Sequence, residues 1–511
     1  EFVLGGRCNS QVIFASFLTP PEQEVMIKRL CLGDEGILDV ATVIEEQREA
    51  VDGQRRAFLE RLSEELFPND VEGAELFRSI FVNVVAEAEP AKGAQLLSKL
   101  TSKITQHRRE GTRIDPPSTA ALILGECGVV GKKVAQSLAE LPWVPANYKE
   151  SLRKMQSDAE VVHKRSLAAL AEGNGLLDGS KGVKILSFDK LLGAASNKQA
   201  CLVTVEITDP ALGYPVGTTL QLVGKFKRPS AQKSHNIDHD LHLLETIITT
   251  IERRRGKKSL PPGFADGIQE AVTRELNFKD EALFAHDLRS ELERKPQSTP
   301  YNVEIPQILF AGEDVVLETR AKGIPLREYF DRRKAGSLSA GYANLNEKAI
   351  CQTILTESIG QLLIRGNVHA DLHPGNIFVA PDGTITFIDL GMHERLGTSE
   401  RQAVGDLLLA LAKGSDRGIH AALKKLGWDV QLTLHLQSGK FGSNVDSLIA
   451  ATSEASSKMP ALVSSILTVT SKLSTYAGNL SSREIGVSIA RALAEHPSAT
   501  ARSIIDRMLG R

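Results

Sequence analysis

The sequence predicts an α+β chain built as two lobes, and three observations carry that prediction. Apolar residues recur at spacings of three and four over most of the chain, and short β-rich runs cluster in one central stretch. The order is helices, a small sheet with an embedded helix, then a mostly helical half, not the strand–helix alternation of a parallel sheet. At 511 residues the chain is too long for one core. Its 42% hydrophobic and 24% charged residues are the mix of a soluble globular protein, and a net charge of −2 argues against bulk nucleic-acid binding. The five cysteines are scattered and form no C-x-x-C, which disfavours disulfides and a zinc ribbon and favours a reducing, intracellular compartment. No apolar run reaches the roughly 18 residues of a transmembrane helix, so the expected place is cytoplasmic or peripheral to a membrane. The opening EFVLGGRCNSQ has neither Met nor a signal-peptide pattern, so targeting cannot be read from it.

Taken in order, residues from about 20 to 110 read as helices without visible chemistry, a bundle or docking region. GTRIDPP, Gly111–Pro117, breaks the pattern as a linker. A second helical piece follows, beginning GVVGKKVAQSLAEL. The period then shortens: VKILSFDKLLGAASNKQACLVTVEIT and TTLQLVGKFKRP hold strands, separated by the hairpin-like DPALGYPVG. Helix resumes through DGIQEAVTRELNFKDEALFAHDLRSELER, and VEIPQILFAGEDVVLETRAKGIPL again reads as strands. Helices dominate from LNEKAICQTILTESIGQLLIRG onward, ending in a Ser/Ala-rich amphipathic cap. The expected organisation is an N-terminal helical region over 1–115, a helical extension over 116–180, a small lobe over 181–320, a large lobe over 321–440 and a C-terminal helical region over 441–511. No repeat of fixed period stands out.

The densest chemistry lies in NVHADLHPGNIFVAPDGTITFIDLG, Asn367–Gly391. A metal reading would pair His369 with His373, four apart, but Pro374 and Gly375 follow at once and break a helix, and no H-E-x-x-H or nearby cysteine completes a zinc site. Asp371 and Asn376 have the D-x-x-x-x-N spacing of a kinase catalytic loop. Two short strands, Ile377–Val379 and Thr384–Ile388, joined at Asp382–Gly383, then return Asp389 to Asn376, followed by Leu390–Gly391. Phosphoryl transfer asks for this set: one carboxylate for the attacking hydroxyl, and an Asn oxygen and a second carboxylate for Mg²⁺ on the phosphates. A turn-rich loop with chance polar residues is the plainer alternative.

Such a site also needs a cation for the nucleotide phosphates. Lys225, inside the apolar run LQLVGKFKRP, has the motif spacing; Lys227, two on, should point the same way. Glu275 and Glu281 are six apart, so on a continuous helix they would differ by about 240° and should not share one partner. The place for a nucleotide-covering loop reads LLGAASNKQACLV, with Gly193 followed by Ala194, Ala195 and Ser196. Alanine restricts the close backbone approach that a glycine loop allows.

Together these segments resemble the UbiB/AarF/ADCK atypical kinases, over about Gly131 to Met392. HADLHPGN with IDLG resembles their catalytic and metal loops, GAASNKQ their alanine-rich loop, VGKFKRP their lysine strand and ELNFKDEA their paired-acid helix. KKVAQSLAELPWVPANYKESLRKMQ resembles their K-x-G-Q helix. The K-x-G-Q stands here as Lys133-Val134-Ala135-Gln136, the E-x-D as Glu275-Leu276-Asn277, and the small residue of A-A-S-x-G-Q is Lys198. The resemblance implies a bilobal protein-kinase-like fold. It implies Asp371 as catalytic aspartate, Asn376 and Asp389 as Mg²⁺ ligands, Lys225 on phosphate and paired with Glu281, and Ala194, Ala195 and Ser196 over the nucleotide. Lys133 and Gln136 would enter the cleft, Lys133 near Glu275, and Glu318 would lie in the hinge that receives adenine.

The resemblance further implies ATP and Mg²⁺ as ligands, ATPase or small-molecule kinase activity with little protein phosphorylation, and a link to isoprenoid lipids, chiefly coenzyme Q biosynthesis. One rival is an aminoglycoside- or choline-kinase-like phosphotransferase, which shares H-x-D-x-H-P-G-N but lacks the Lys133–Gln136 helix and the alanine-rich loop. Another is a nucleotide-binding scaffold without turnover. The five cations of IERRRGKKS, Ile251–Ser259, read as a solvated loop, with an anionic membrane surface as the sharper alternative.

Overall fold

The computed structural model describes residues 56–494, apart from 89, 142, 155–161, 195–197, 229–236, 257–258, 261–263, 295–298, 453–454, 456, 458, 479 and 481. The helical expectation for 20–55 therefore lies outside the described residues. Along the chain come α1 (56–66), α2 (Ala74–Glu87), α3 (Pro90–Glu110), α4 (Pro116–Glu126), α5 (Gly128–Glu140) and α6 (Ala146–Lys154). The expected linker at 111–117 is shorter than its composition implied. Pro116 and Pro117 open α4, where a missing N–H costs nothing, and Asp115 caps it by accepting from the Ser118 N–H at 3.0 Å.

Next come α7 (Lys164–Gly173), β1 (Val183–Ala194), β2 (Lys198–Ile207), β3 (Thr219–Lys227) and α8 (Ile237–Arg255). The chain forms two compact units. One is Glu1–Glu160, Ala195–Asn197 and Pro229–Leu260; the other is Val161–Ala194, Lys198–Arg228 and Pro261–Arg511. These units cut across the domain boundaries expected from sequence, because α8 packs with α2 and α5. Its apolar stripe of Leu243, Leu244, Ile247 and Ile251 is buried, Asn83 Nδ2 donates to Thr250 Oγ1 at 2.8 Å, and the Arg255 guanidinium stacks on Trp143 at 4.5 Å. Arg254 pairs with Glu75 at 2.7 Å. Arg253, Arg254 and Arg255 end α8 as exposed residues, two of them paired within the protein, and Lys257 and Lys258 lie outside the described residues.

The second unit continues with α9 (Phe264–Glu275), α10 (Phe278–Arg294), β4 (Val303–Glu304), β5 (Ile308–Ala311) and β6 (Val315–Thr319). Five strands form an antiparallel sheet in the order β1-β2-β3-β6-β5. The period of two sorts its side chains. Val203, Val205, Ile207, Leu222 and Phe226 pack with Leu167 and Ala171 of α7. Ala200 opposes Lys225, Lys198 opposes Lys227 and Val223 opposes Glu318, so the charged residues share the other face.

The remaining elements are β7 (Ile324–Pro325), α11 (Leu326–Lys334), α12 (Glu347–Gly360) with a π-helical turn at Gln361–Arg365, β8 (Asn367–His369), β9 (Ile377–Val379), β10 (Ile385–Phe387) and β11 (His393–Arg395). Then follow α13 (Thr398–Lys413), α14 (Asp416–Lys425), α15 (Phe441–Thr452), α16 (Ala461–Ala477) and α17 (Ser482–Ala494). Strands β9 and β10 are the hairpin expected from sequence, turned at Gly383 with φ +87°. Helices α13–α16 close a core around Leu407, Trp428, Leu448 and Ile466 behind the β8–β11 pair. Among the described residues, no helix is long and apolar enough to cross a membrane.

A candidate phosphate-transfer site

Lys225 rises from the polar face of β3 and is buried. Its Nζ donates to Glu281 Oε1 at 2.7 Å and lies 2.9 Å from Glu318 Oε2. Lys227 stands on the same face, as its spacing required, but its Nζ lies over the Phe278 ring and 3.6 Å from Asp314. Lys225 is therefore the strand lysine bound to the acid helix.

Glu281 reaches it from the first turn of α10. The acid segment is not one continuous helix: α9 ends at Glu275, Leu276 and Asn277 break the ladder, and α10 restarts at Phe278. Asn277 caps the new helix, accepting from the Asp280 N–H at 3.2 Å. The angle expected between Glu275 and Glu281 on a single helix does not apply, because the break separates them.

Glu318 also departs from expectation. It lies inside β6, 4% exposed, with its carboxylate on Lys225, so its side chain belongs to the ion cluster and not to an adenine-receiving edge. Ala194 ends β1, and Ala195 and Ser196 lie outside the described residues. Lys133 and Gln136 sit three apart on α5, both half-buried, with Ala135 buried between them. They belong to the first compact unit, and Glu275 to the second.

The hairpin does return Asp389 to Asn376: the Ile388 N–H donates to Asn376 O at 2.9 Å. Asp389 is the one non-glycine residue with positive φ among the described residues, at +59°, a conformation that costs energy and holds its carboxylate turned into the site. It receives Lys198 Nζ through Oδ1, and the same ammonium lies 3.8 Å from Glu281 Oε2, a buried oxygen that accepts no hydrogen bond. At Gly391 an added Cβ would lie 3.2 Å from that oxygen, a tight contact with the ion cluster.

Two lysines thus face three carboxylates in a largely buried cluster. Burial works against the ammonium of Lys225, but Glu281 and Glu318 outweigh it and hold its pKa above the ordinary range. Lys198 is held up in the same way, by Asp389 and Glu281. Burial also opposes the carboxylates, yet Lys198 and Lys225 keep Asp389 and Glu281 below their usual range. Glu318 goes the other way: burial raises it, and Lys225 offsets only part of that.

His369 and His373 brace the loop that carries Asp371 through hydrogen bonds. His369 is fully buried; its Nε2–H donates to Ile388 O at 3.0 Å and its Nδ1 accepts from the Asp371 N–H at 3.1 Å, which fixes a neutral tautomer. Burial pulls its pKa down to about 4. His373 Nδ1 accepts from the Gly375 N–H at 3.0 Å and shapes the turn. No group of three His, Cys, Asp or Glu side chains able to hold a metal occurs among the described residues. Asn376 Nδ2 donates to Asp371 Oδ2 at 2.9 Å and to its carbonyl at 3.0 Å. The other carboxylate oxygen of Asp371 pairs with Lys472 of α16.

Two residues in this arrangement escaped sequence reasoning. Lys198 had a signal, a long cation where the motif takes a small residue, but its target was not readable. Lys472 had none, since SKLSTYA is an ordinary amphipathic helix.

A lysine–glutamate pair over an Asp/Asn loop and a hairpin-borne Asp, on an α+β scaffold, defines the protein-kinase-like class. Residues 218–423 match the ABC1 atypical kinase-like domain. Among curated relatives, an uncharacterised protein of Synechocystis is 32% identical over 150 residues, 29% of this chain and 36% of its own length. A probable protein kinase UbiB of Marinobacter nauticus is 24% identical over 316 residues, 60% of this chain and 53% of its own. The chain spans about half the length of such relatives, or less. A Mycobacterium tuberculosis protein solved with erythromycin aligns over 76% of this chain and 98% of its own at 17% identity, with a TM-score of 0.37. Residues 218–423 thus form an ABC1 atypical kinase-like domain, and the chain is similar to proteins named as probable UbiB kinases.

Proposed function

We propose that this protein binds Mg²⁺-ATP and acts as an atypical kinase or ATPase on, or in control of, small-molecule or isoprenoid-lipid metabolism of the coenzyme Q kind, with little protein kinase activity. The observation that carries the reading is the convergence of the Lys225–Glu281 pair, Asp389 and the Asp371–Asn376 loop within one compact unit. Lys225 binds nucleotide phosphate and Glu281 orients it. Asp371 accepts the proton of the attacking hydroxyl, and Asn376 orients Asp371. The resemblance assigns Lys133 and Gln136 to the exclusion of peptides and Ala194, Ala195 and Ser196 to nucleotide binding.

The donor set fits Mg²⁺. With its amide N–H groups on Asp371, Asn376 has its carbonyl oxygen to offer, and Asp389 has a second carboxylate oxygen besides the one on Lys198. When bound, the metal neutralises phosphate charge.

Saturating Mg²⁺-nucleotide is expected to raise the melting temperature by about 2–6 °C, and Asp389→Ala to remove the Mg²⁺-dependent part. A wild-type protein that no Mg²⁺-nucleotide stabilises would end this reading, and efficient phosphorylation of generic protein substrates would end its last clause. The pathway is tested in a deletion strain: isoprenoid quinone levels should return with wild type and not with Asp389→Ala.

A second reading, a nucleotide-dependent scaffold without turnover, draws on one observation. Lysines sit on both functional aspartates, Lys472 on Asp371 and Lys198 on Asp389. Equal, near-background product release by wild type and Asp371→Asn would favour it. The aminoglycoside-kinase-like alternative gains no support from the ABC1 match.

A further inference from the structure

Helix α16 lies outside the matched kinase-like domain, and its sequence announces no chemistry. It nevertheless makes two contacts with the catalytic loop. Tyr476 Oη, buried, donates to Leu372 O at 2.7 Å. Four residues earlier, and so on the same helix face, Lys472 pairs with Asp371 Oδ1, its ammonium also 3.5 Å from Ala370 O. The first contact fixes where the helix sits; the second puts a charge on the carboxylate that would receive the acceptor's proton.

The loop itself contains no Lys or Arg over His369–Asn376; its His373 Nε2 lies 3.8 Å from Asp371 Oδ2, farther than a hydrogen bond and on the oxygen opposite the one Lys472 takes. The two sheet lysines, Lys198 and Lys225, are engaged by Asp389, Glu281 and Glu318. Asp371 is held on both sides instead, by the Asn376 amide at Oδ2 and by Lys472 at Oδ1. Each carboxylate oxygen keeps a lone pair for an incoming hydroxyl, so the two holds fix the orientation of the group without blocking it.

We infer that Lys472 is a positioning residue of the active site, delivered by the C-terminal helix, which holds the Asp371 carboxylate in line for the acceptor hydroxyl. This rests on the phosphotransferase reading above. In the step, the acceptor oxygen forms a bond to the terminal phosphorus of the nucleoside triphosphate. The bond from that phosphorus to the bridging oxygen breaks, and its electron pair leaves with the diphosphate. The hydroxyl proton passes to Asp371, while Lys472 keeps its own proton throughout. With water as acceptor the same balance describes ATP hydrolysis.

The test is Mg²⁺-ATP turnover and nucleotide affinity for wild type, Lys472→Met, Lys472→Arg, Asp371→Asn and the Asp371→Asn/Lys472→Met double variant. Lys472→Met should lower kcat by about 10- to 100-fold, as misorientation of a reacting group does, with the nucleotide Kd within roughly threefold of wild type. Lys472→Arg should recover most of that loss. In the Asp371→Asn background, Lys472→Met should change the residual rate by less than about threefold, because the group it positions is already disabled. A kcat for Lys472→Met within about threefold of wild type overturns the inference. So does an equal loss in both backgrounds, or a loss that arginine does not repair. If Lys472→Met does not fold, Lys472→Gln takes its place in the same cycle. Failure of the underlying reading looks different: wild type and Asp371→Asn would then release product at the same background rate, and the inference would fall with it.

Discussion

Lys198 shows how one side chain can reset a site. Its ammonium occupies one oxygen of Asp389 and neighbours Glu281, so the divalent cation proposed for Asp389 would compete with a resident monovalent one. Lys198→Ala is expected to lower the Mg²⁺ concentration that half-saturates nucleotide binding by about tenfold, read by fluorescent-nucleotide titration. An unchanged or higher Mg²⁺ requirement would mean that Lys198 does not compete for the metal carboxylate. His369 gives a pH signature. Its folded pKa of about 4 lies below the ordinary histidine value, so between those values the unfolded chain binds a proton that the native one refuses. Stability from this group is complete above about pH 6.5 and is lost as pH falls toward 4, by about 3 kcal/mol in all. Urea denaturation from pH 7 to 4.5 should show that slope in wild type and lose it in His369→Gln; equal slopes would rule out His369 as its source.

At the scale of elements, the break at Leu276–Asn277 matters most. A continuous helix would have carried Glu275 and Glu281 on a fixed angle, and the sequence has apolar periodicity on both sides of the break. The signal for the break was Asn277 itself, a good N-cap three residues ahead of Asp280, but a cap inside a long amphipathic stretch is easily taken for a surface residue. Asn277→Ala should cost about 1 kcal/mol and loosen the first turn that holds Glu281, whereas Asn277→Asp should stay near wild type. Chemical denaturation checks both; equal stability of the two variants would mean that the cap does not hold α10. The β9–β10 hairpin was legible throughout, because two short apolar runs around Asp382–Gly383 allow little else. The proline pair at 116–117 was misread as a linker because Pro marks a helix's start as readily as its interruption.

For the molecule as a whole, the sequence by itself determined the α+β class, the hairpin that returns Asp389 to Asn376, the place of Lys225 on the polar face of its strand, and the bracing place of the histidines. These are written in local spacing: a loop, a hairpin and an alternating strand each fix their side chains within a few residues. What only the tertiary structure decided are contacts between segments distant in the chain. It set the Glu318 carboxylate on Lys225 instead of in an adenine-receiving hinge, Lys198 on Asp389 across 191 residues, and Lys472 on Asp371 across 101. It also packed α8 with the N-terminal helices, against the domain boundaries that chain order implied. The physical reason is the same in each case. Periodicity shows which face of an element is apolar or charged, but the partner of that face is chosen by packing and burial over the whole chain, and no local spacing records that choice.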